Sequence, residues 1–303
     1  MSDFIQSLLG IVAQITTFIT PIFVFIVCFN SGMSQHPKKV LKTANENIGY
    51  YSRVIFASNI IYPLFVWGWM TILPFPEFFK LGALVFFICA GAPIVISFTQ
   101  SAGNTGLYAT AGMIIQLIAS IIIIPVLLPL MVGGVEIDMG ILIWNLIKTV
   151  VIPLIHGFII AIYWEELIPR IRPTVGKFQK VTMDIVIYGT LVRNIPNIID
   201  LVGEFAILTG VILVYLAFYF GYWVERKNPN TAMRETTAFS VGQRNFAIAS
   251  VIAMTNFPPE VMLATVIVYA IGLLQMRHLT TVLKRQKPAL STAEEFSVSQ
   301  VKA

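Results

Sequence analysis

The stretch "FSVGQRNFAIAS" (Phe239–Ser250) places a polar cluster in the middle of an apolar run. Gly242 precedes Gln243, Arg244 and Asn245, and apolar residues resume directly afterwards. A glycine followed by three hydrogen-bonding side chains predicts a break in a helix. Backbone that leaves helical hydrogen bonding at membrane depth is tolerated only where it is buried in protein or lines a wet cavity. An arginine at that depth also needs a partner.

The composition of the whole chain indicates a membrane protein. Of the 303 residues, 57% are hydrophobic and only 12% are charged, with a mean hydropathy of +0.82. Soluble domains carry about twice that charged fraction. The net charge of +5 does not indicate a nucleic-acid partner, because the basic residues lie in short segments between apolar runs, as membrane topology requires.

Residues typical of enzymes and metal sites are missing from the sequence. Cys28 and Cys89 both lie in apolar segments, and the three histidines are far apart, so neither a disulfide framework nor a zinc site is expected. The sequence contains no H-E-x-x-H or G-x-S-x-G motif and no nucleotide-binding loop. We therefore expect neither an enzyme nor a bound cofactor.

About nine runs reach the roughly 20 largely apolar residues that a membrane helix needs, which predicts an all-α polytopic membrane protein in the lipid bilayer. We name these predicted helices A (Phe4–Asn30), B (Tyr51–Leu73), C (Leu81–Thr99), D (Thr105–Met131), E (Gly140–Trp164), F (Val181–Ile195), G (Val202–Val224), H (Thr236–Met254) and I (Glu260–Leu283).

Basic residues follow predicted helices A, E, G and I, whereas the segments after D and H lack them. Lys80 alone lies on the opposite side. By the positive-inside rule the N-terminus is outside and the C-terminus cytoplasmic, in the cell (inner) membrane. Residues 284–303 have no apolar periodicity and are predicted to be a disordered cytoplasmic tail. The basic residues that decide the orientation are Lys38, Lys39, Lys42, Arg170, Arg172, Lys177, Lys180, Arg226, Lys227, Arg234, Lys284, Arg285 and Lys287.

A second interrupted stretch is "CAGAPIVISFTQSAGNTG" (Cys89–Gly106), where Gly91 and Pro93 precede several polar residues. Runs B–C–D and G–H–I each have the interrupted helix in the middle and enter the membrane from opposite sides, as inverted repeats do. Paired interruptions of this kind indicate a transporter site near the midplane. Each break alone could also be a packing kink, since Gly and Pro are common in membrane helices.

The stretches "CAGAPIVISFTQSAGN", "VGQRNFAIASVIA", "TPIFVFIVCFNSGMS" and "IIYPLF" resemble the bile acid:sodium symporter family, from about Pro21 to helix I. The resemblance implies two broken helices that cross in a core domain beside a panel domain. It also implies that residues 1–283 form a single transporter unit with core and panel helices interleaved.

The sequence departs from the sodium site that the resemblance implies. The family's Ser-Asn pair falls around Val95 and Ile96 when the alignment allows a one-residue shift before Gly103 and Asn104. The family's ligands on the next helix fall at Tyr108 and Gly112. The family glutamate aligns with Ser240, one glutamine with Arg244, and another near Ser58, beside Asn59. Sodium requires several oxygen ligands, and an arginine repels it. We expect Arg244 to occupy the place of the coupling ion, which leaves sodium as a doubtful partner.

Two roles are open for Arg244 from the sequence. In the structural role, it donates to carbonyls freed by the break in helix C and to the side chain of Thr99, Gln100 or Asn104. In the functional role, it also faces a cavity and binds an anionic group of the solute. The predicted substrate-binding or crossover residues are Arg244, Gln243, Asn245, Ser240, Ser97, Thr99, Gln100, Asn104, Ser58 and Asn59.

The sequence thus favours a secondary transporter of a small organic solute, more specifically an organic anion, that works by alternating access. Two alternatives stay open. One is a sodium- or proton-coupled symporter of the same fold, and the other is a transport-fold sensor or channel without coupled flux.

Overall fold

The computed structural model describes residues 3–34, 36–133, 138–194 and 205–286, and every regular element in these ranges is helical. The fold class predicted from the sequence is confirmed. The helices are α1 (Asp3–Gly32), α2 (Pro37–Glu46), α3 (Ile48–Ile72), α4 (Glu77–Ile88), α5 (Ile94–Ser101), α6 (Leu107–Met131), α7 (residues 139–163), α8 (Ile168–Arg193), α9 (Ala206–Val224), α10 (Thr231–Gly242), α11 (Phe246–Asn256) and α12 (Pro259–Gln286).

Six of the described helices are long and apolar enough to cross a membrane without a break: α1, α3, α6, α7, α9 and α12. Their outward faces carry large apolar side chains, among them Phe18, Ile72 and Ile122, which are at least two-thirds exposed. Exposed apolar surface on this scale is typical of helices that face lipid. The fold is therefore that of a multi-pass membrane protein.

The main correction to the sequence prediction concerns the bounds of helix F. The helix α8 begins at Ile168 rather than Val181 and ends at Arg193, so the basic residues between 170 and 180 lie on a helix and not in a loop. Hydropathy located only the apolar second half of this helix. Charged residues are good helix formers, and Pro169 lies at the start of α8, where a proline is tolerated.

Two further segments predicted as loops are also helical. Lys38, Lys39 and Lys42 belong to the short amphipathic helix α2, and Lys80 lies in the first turn of α4. At the other end, α12 continues to Gln286, so residues 284–286 are not part of a disordered tail. The rest of that predicted tail, from 287 onward, lies outside the described residues.

The helices form two groups. In the first, α1 packs against α7 and α8. Gly32 lies so close to Leu154 and Gly157 of α7 that a β-carbon would meet the Leu154 carbonyl oxygen, and Gly189 of α8 packs against Thr16. The second group contains α3–α6 and α9–α12, and its buried aromatic and aliphatic side chains form the main core together with buried residues of α1, α7 and α8.

Candidate functional site

The two interrupted helices meet where each of them breaks. The backbone amide of Asn245 donates to the carbonyl of Cys89 over 2.7 Å. The side-chain amide of Asn245 donates to the carbonyl of Gly91 over 3.0 Å, and its Oδ1 accepts from the amide of Ile248, at the start of α11. Asn245 thus satisfies two carbonyls freed between α4 and α5, and the expected meeting of the two breaks is confirmed.

The break between α4 and α5 depends on Gly91. Its φ of +82° lies in the left-handed region, which costs glycine little and other residues more. A β-carbon on Gly91 would lie 2.7 Å from the amide nitrogen of Leu117 and 2.9 Å from the carbonyl oxygen of Met113, both in α6. Glycine therefore permits both the turn and the close approach of α6.

Arg244 is fully buried within the second group of helices, and its side chain lies on the side of the crossing that faces α3. Its Nη1 donates to the carbonyl oxygen of Ser58 over 2.6 Å and to the Ser58 hydroxyl over 2.9 Å. The rings of Tyr62 and Phe87 each lie 5.7 Å from the guanidinium carbon, within the range of a cation–π interaction. Nε and Nη2 have no hydrogen-bond partner among the described residues.

The carbonyl of Ser58 is available because α3 contains a π-helical segment, Phe56–Ile61. In this segment the amide of Tyr62 donates to Ala57 rather than to Ser58. The next amide in the π register would be that of residue 63, which is proline and has no N–H. The sequence of α3 thus leaves one buried carbonyl without a helical donor, and Arg244 supplies the donor.

The prediction that Arg244 forms hydrogen bonds with the first broken helix is wrong. The hydroxyl of Thr99 donates to Val95 and Ile96 within its own helix. The side chain of Asn104 donates over 2.7 Å to Glu235 of α10, a buried carboxylate. Asn245, rather than Arg244, binds the carbonyls of that break.

The remaining predicted residues divide between the core and a cavity. Ser240 accepts a hydrogen bond from Ser58 through its carbonyl. Asn59 donates to the Gln116 carbonyl and the Ser120 hydroxyl, and Gln243 is fully buried with no partner for its amide among the described residues. Ser97 and Gln100 line the cavity.

This cavity, which we call the inner cavity, has a volume of about 410 Å³ and lies between α1 and α8 on one side and the helix crossing on the other. The first residues of α5 and of α11 both border it, so two helix N-termini converge on one space. Three cationic residues border it, and no carboxylate does so among the described residues. Its lining comprises Phe23, Val27, Asn30, Ser31, Ser34, Ala92, Pro93, Ile94, Ile96, Ser97, Gln100, Met113, Arg172, Gly176, Gln179, Lys180, Met183, Arg244, Asn245, Phe246, Ala247 and Tyr269.

Arg172 and Lys180 are cationic lining residues that were not predicted as site residues, because the sequence analysis assigned them to a loop. They lie eight positions apart with Gly176 between them, and residues four apart share one face of a helix. This spacing was the signal that could have found them. The buried carboxylates Glu225 and Glu235 were missed as well. Glu225 accepts two hydrogen bonds from Arg53, over 2.6 and 3.0 Å.

A second cavity, the outer cavity, has a volume of about 200 Å³. It is lined by residues from α1, α8, α11 and α12, which also contribute to the inner cavity, and by Arg193 at the far end of α8. The two cavities thus share four helices.

Comparison with known proteins assigns the chain to a family. A sequence model of the SBF-like CPA transporter family matches residues 7–283. Among curated proteins, the chain is similar to sodium/bile acid cotransporter 7 of Xenopus tropicalis, with 26% identity over 66% of this chain and 59% of that protein. The corresponding Danio rerio protein is 23% identical over 65% of this chain and 60% of its own length.

The match spans less than two thirds of the length of these relatives. The family match, in contrast, covers both interrupted helices and nearly all of the described chain. The resemblance to the bile acid:sodium symporters seen in the sequence is thereby confirmed, and the chain belongs to the SBF-like CPA transporter family.

Proposed function

We propose that this protein is a secondary carrier of a small organic anion that works by alternating access. The observation that carries the proposal is the inner cavity at the helix crossing, which is lined by the cations Arg172 and Lys180 and by no carboxylate among the described residues. The proposed occupant is therefore negatively charged.

The helix N-termini add to this positive field. The first turn of a helix has amide groups without helical partners and carries about half a positive charge. Pro93 and Ile94 at the start of α5, and Phe246 and Ala247 at the start of α11, border the same cavity. In broken-helix transporters such N-termini face the anionic groups of substrates. A carboxylate placed at the crossing would meet both.

The arrangement of the two cavities supports alternating access. On each shared helix, a residue of the inner cavity and a residue of the outer cavity lie six or seven positions apart. These pairs are Phe23 and Thr17 on α1, Met183 and Thr190 on α8, Ala247 and Met254 on α11, and Tyr269 and Met262 on α12. At 1.5 Å per residue, about 10 Å of packed protein divides the cavities along each of the four helices. Rocking of α1 and α8 against the crossing would open this layer on one side and close it on the other.

Sodium coupling is not part of the proposal. Arg244 binds the carbonyl and hydroxyl of Ser58, the position that the family resemblance aligns with a sodium-binding glutamine. At about 4 Å two unit charges repel by several kcal/mol at an effective dielectric constant of 20. A fixed guanidinium group at this position therefore disfavours a sodium ion there, and it holds the crossing together without one.

The proposed location is the cell (inner) membrane, with the N-terminus outside. In that orientation Ser34 and Arg172 lie toward the cytoplasm, and the inner cavity opens on the cytoplasmic side. The conformation described here would then be inward-facing.

Counterflow in proteoliposomes tests the carrier proposal. Vesicles loaded with unlabelled succinate are diluted into labelled succinate, once in sodium chloride and once in choline chloride. A carrier accumulates the label transiently because internal substrate accelerates exchange, whereas a channel or a sensor does not. We expect counterflow of equal size in both salts. A steep rise with external sodium would exclude the assigned role of Arg244 and favour a symporter.

A further inference from the structure

We infer that Lys180 and Arg172 form a second anion-binding subsite in the inner cavity, so that the carrier's substrate bears two negative charges. This inference rests on the proposed function and names its substrate class. The first charge binds at the helix crossing and the second binds on α8, on the opposite wall of the cavity.

Lys180 lies deep enough to act on a substrate inside the membrane. It is thirteen residues from Arg193, the last residue of α8 (193 − 180), which corresponds to about 20 Å of helix. The hydrocarbon core of a bilayer is about 30 Å thick. With Arg193 at one membrane surface, Lys180 is within the hydrocarbon depth, where an ionisable residue marks a functional site by default.

The two cations share one face of α8 with open space between them. Gly176 is four residues from each, and all three line the inner cavity. A β-carbon built on Gly176 would meet no atom within 4 Å. The glycine therefore keeps clear the part of the cavity wall that lies between the two positive side chains.

Neither Arg172 nor Lys180 forms an ion pair with a carboxylate of the described residues. Among the described residues the ion pairs are Lys42–Glu46 and Arg53–Glu225, and neither includes a residue of the inner cavity. Two positive side chains that face a cavity without a carboxylate favour an anion from solution. Arg244 cannot serve as this subsite, because its side chain is buried and bonded to Ser58 on the far side of the crossing.

Apolar side chains lie among the charged parts of the lining. Phe23 and Val27 of α1, Met113 of α6 and Tyr269 of α12 contribute to it. The lining fits a dicarboxylate with a short hydrocarbon middle.

Pairs of carboxylates that share a carbon skeleton test this inference. The purified protein is mixed with butyrate or succinate, hexanoate or adipate, and 3-methylbenzoate or isophthalate, and the melting temperature is measured against concentration. We expect the dicarboxylate of at least one pair to bind about tenfold more tightly than its monocarboxylate. The K180Q variant should bring both affinities to the same value, and K180R should keep the preference.

The matched control is K177Q. Lys177 lies one turn earlier on α8 and is exposed, as Lys180 is, but it does not line the cavity. This variant therefore removes the same charge and should leave the preference intact. Equal binding of both members of every pair by the wild type, or an unchanged preference in K180Q, overturns the second subsite. Counterflow of monocarboxylates would in that case still support the proposed carrier. Absence of binding and of counterflow with all six compounds overturns both.

Discussion

At the scale of single residues, Arg244 shows how a charge is accommodated in an apolar interior. An arginine at the centre of a membrane helix costs about 2.5–3.5 kcal/mol on insertion scales. Here it is offset by a carbonyl that the helix itself cannot satisfy, by the Ser58 hydroxyl and by two aromatic rings. The defect in α3 and the arginine therefore depend on each other.

This dependence predicts that Arg244 and Pro63 are energetically coupled. Arg244→Met leaves the buried carbonyl of Ser58 without a donor, at a cost of about 1–3 kcal/mol in addition to lost packing. Pro63→Ala restores an N–H that can reach that carbonyl in the π register. We expect Arg244→Met to destabilise the Pro63→Ala background by about 1–2 kcal/mol less than the wild type, measured as thermal unfolding in detergent.

The control for this cycle is Pro153→Ala. Pro153 follows a second π-helical segment, Ile147–Val151, in α7, whereas the hydrogen bonds and ring contacts of Arg244 among the described residues go to α3 and α4. Its effect and that of Arg244→Met should simply add. Additive behaviour at Pro63 as well would show that the Ser58 carbonyl is satisfied in some other way.

At the scale of elements, the sequence predicts the two interrupted helices more accurately than it predicts α8, which is continuous and carries basic residues in its first half. Gly91, Pro93 and Gly242 identify both breaks because they act on the backbone locally. Hydropathy does not detect the first half of α8, because four basic residues lie there, of which Arg172 and Lys180 line the inner cavity. The π-helical segment of α3, and hence the true partner of Arg244, depends on tertiary packing that no local pattern specifies.

The close packing of the first break gives a prediction for Gly91→Ala. The new β-carbon would lie under 3.0 Å from backbone atoms of α6, at a φ of +82°. Strain and overpacking together should lower the stability by about 2 kcal/mol or more. Gly68→Ala is the control, because Gly68 lies within α3 with no atom within 4 Å of a new β-carbon, and alanine there should be neutral or slightly stabilising. Equal melting temperatures for the two variants would contradict the described approach of α6.

At the scale of the whole molecule, composition and charge predict a polytopic membrane protein, and paired breaks predict where its site lies. They do not predict the cavity, because its walls come from helices that are far apart in sequence. Asn30 and Lys180, for example, become neighbours in the lining only when α1 packs against α8. The number of membrane crossings and the inverted repeats stay predictions.

The proposed orientation and the two cavities together predict from which side of the membrane a water-soluble reagent reaches each residue. Ser97→Cys places a thiol in the inner cavity and Thr17→Cys one in the outer cavity. A charged, membrane-impermeant thiol reagent should modify Ser97→Cys from the cytoplasmic face of inside-out vesicles and Thr17→Cys from the external face of right-side-out vesicles. The native Cys28 and Cys89 are fully buried and should give little background.

The Ile122→Cys variant is the control that distinguishes a lipid-facing thiol from a water-accessible one. Ile122 is 67% exposed on α6 but lines neither cavity, so its thiol should face lipid and stay unmodified from both sides. Modification of Ser97→Cys only from outside would invert the orientation, and protection of Ser97→Cys from both sides would show that the inner cavity is dry. A wet cavity at Ser97 and a dry surface at Ile122 are both needed, because only a water-filled space in contact with the helix N-termini can admit an anion to the crossing.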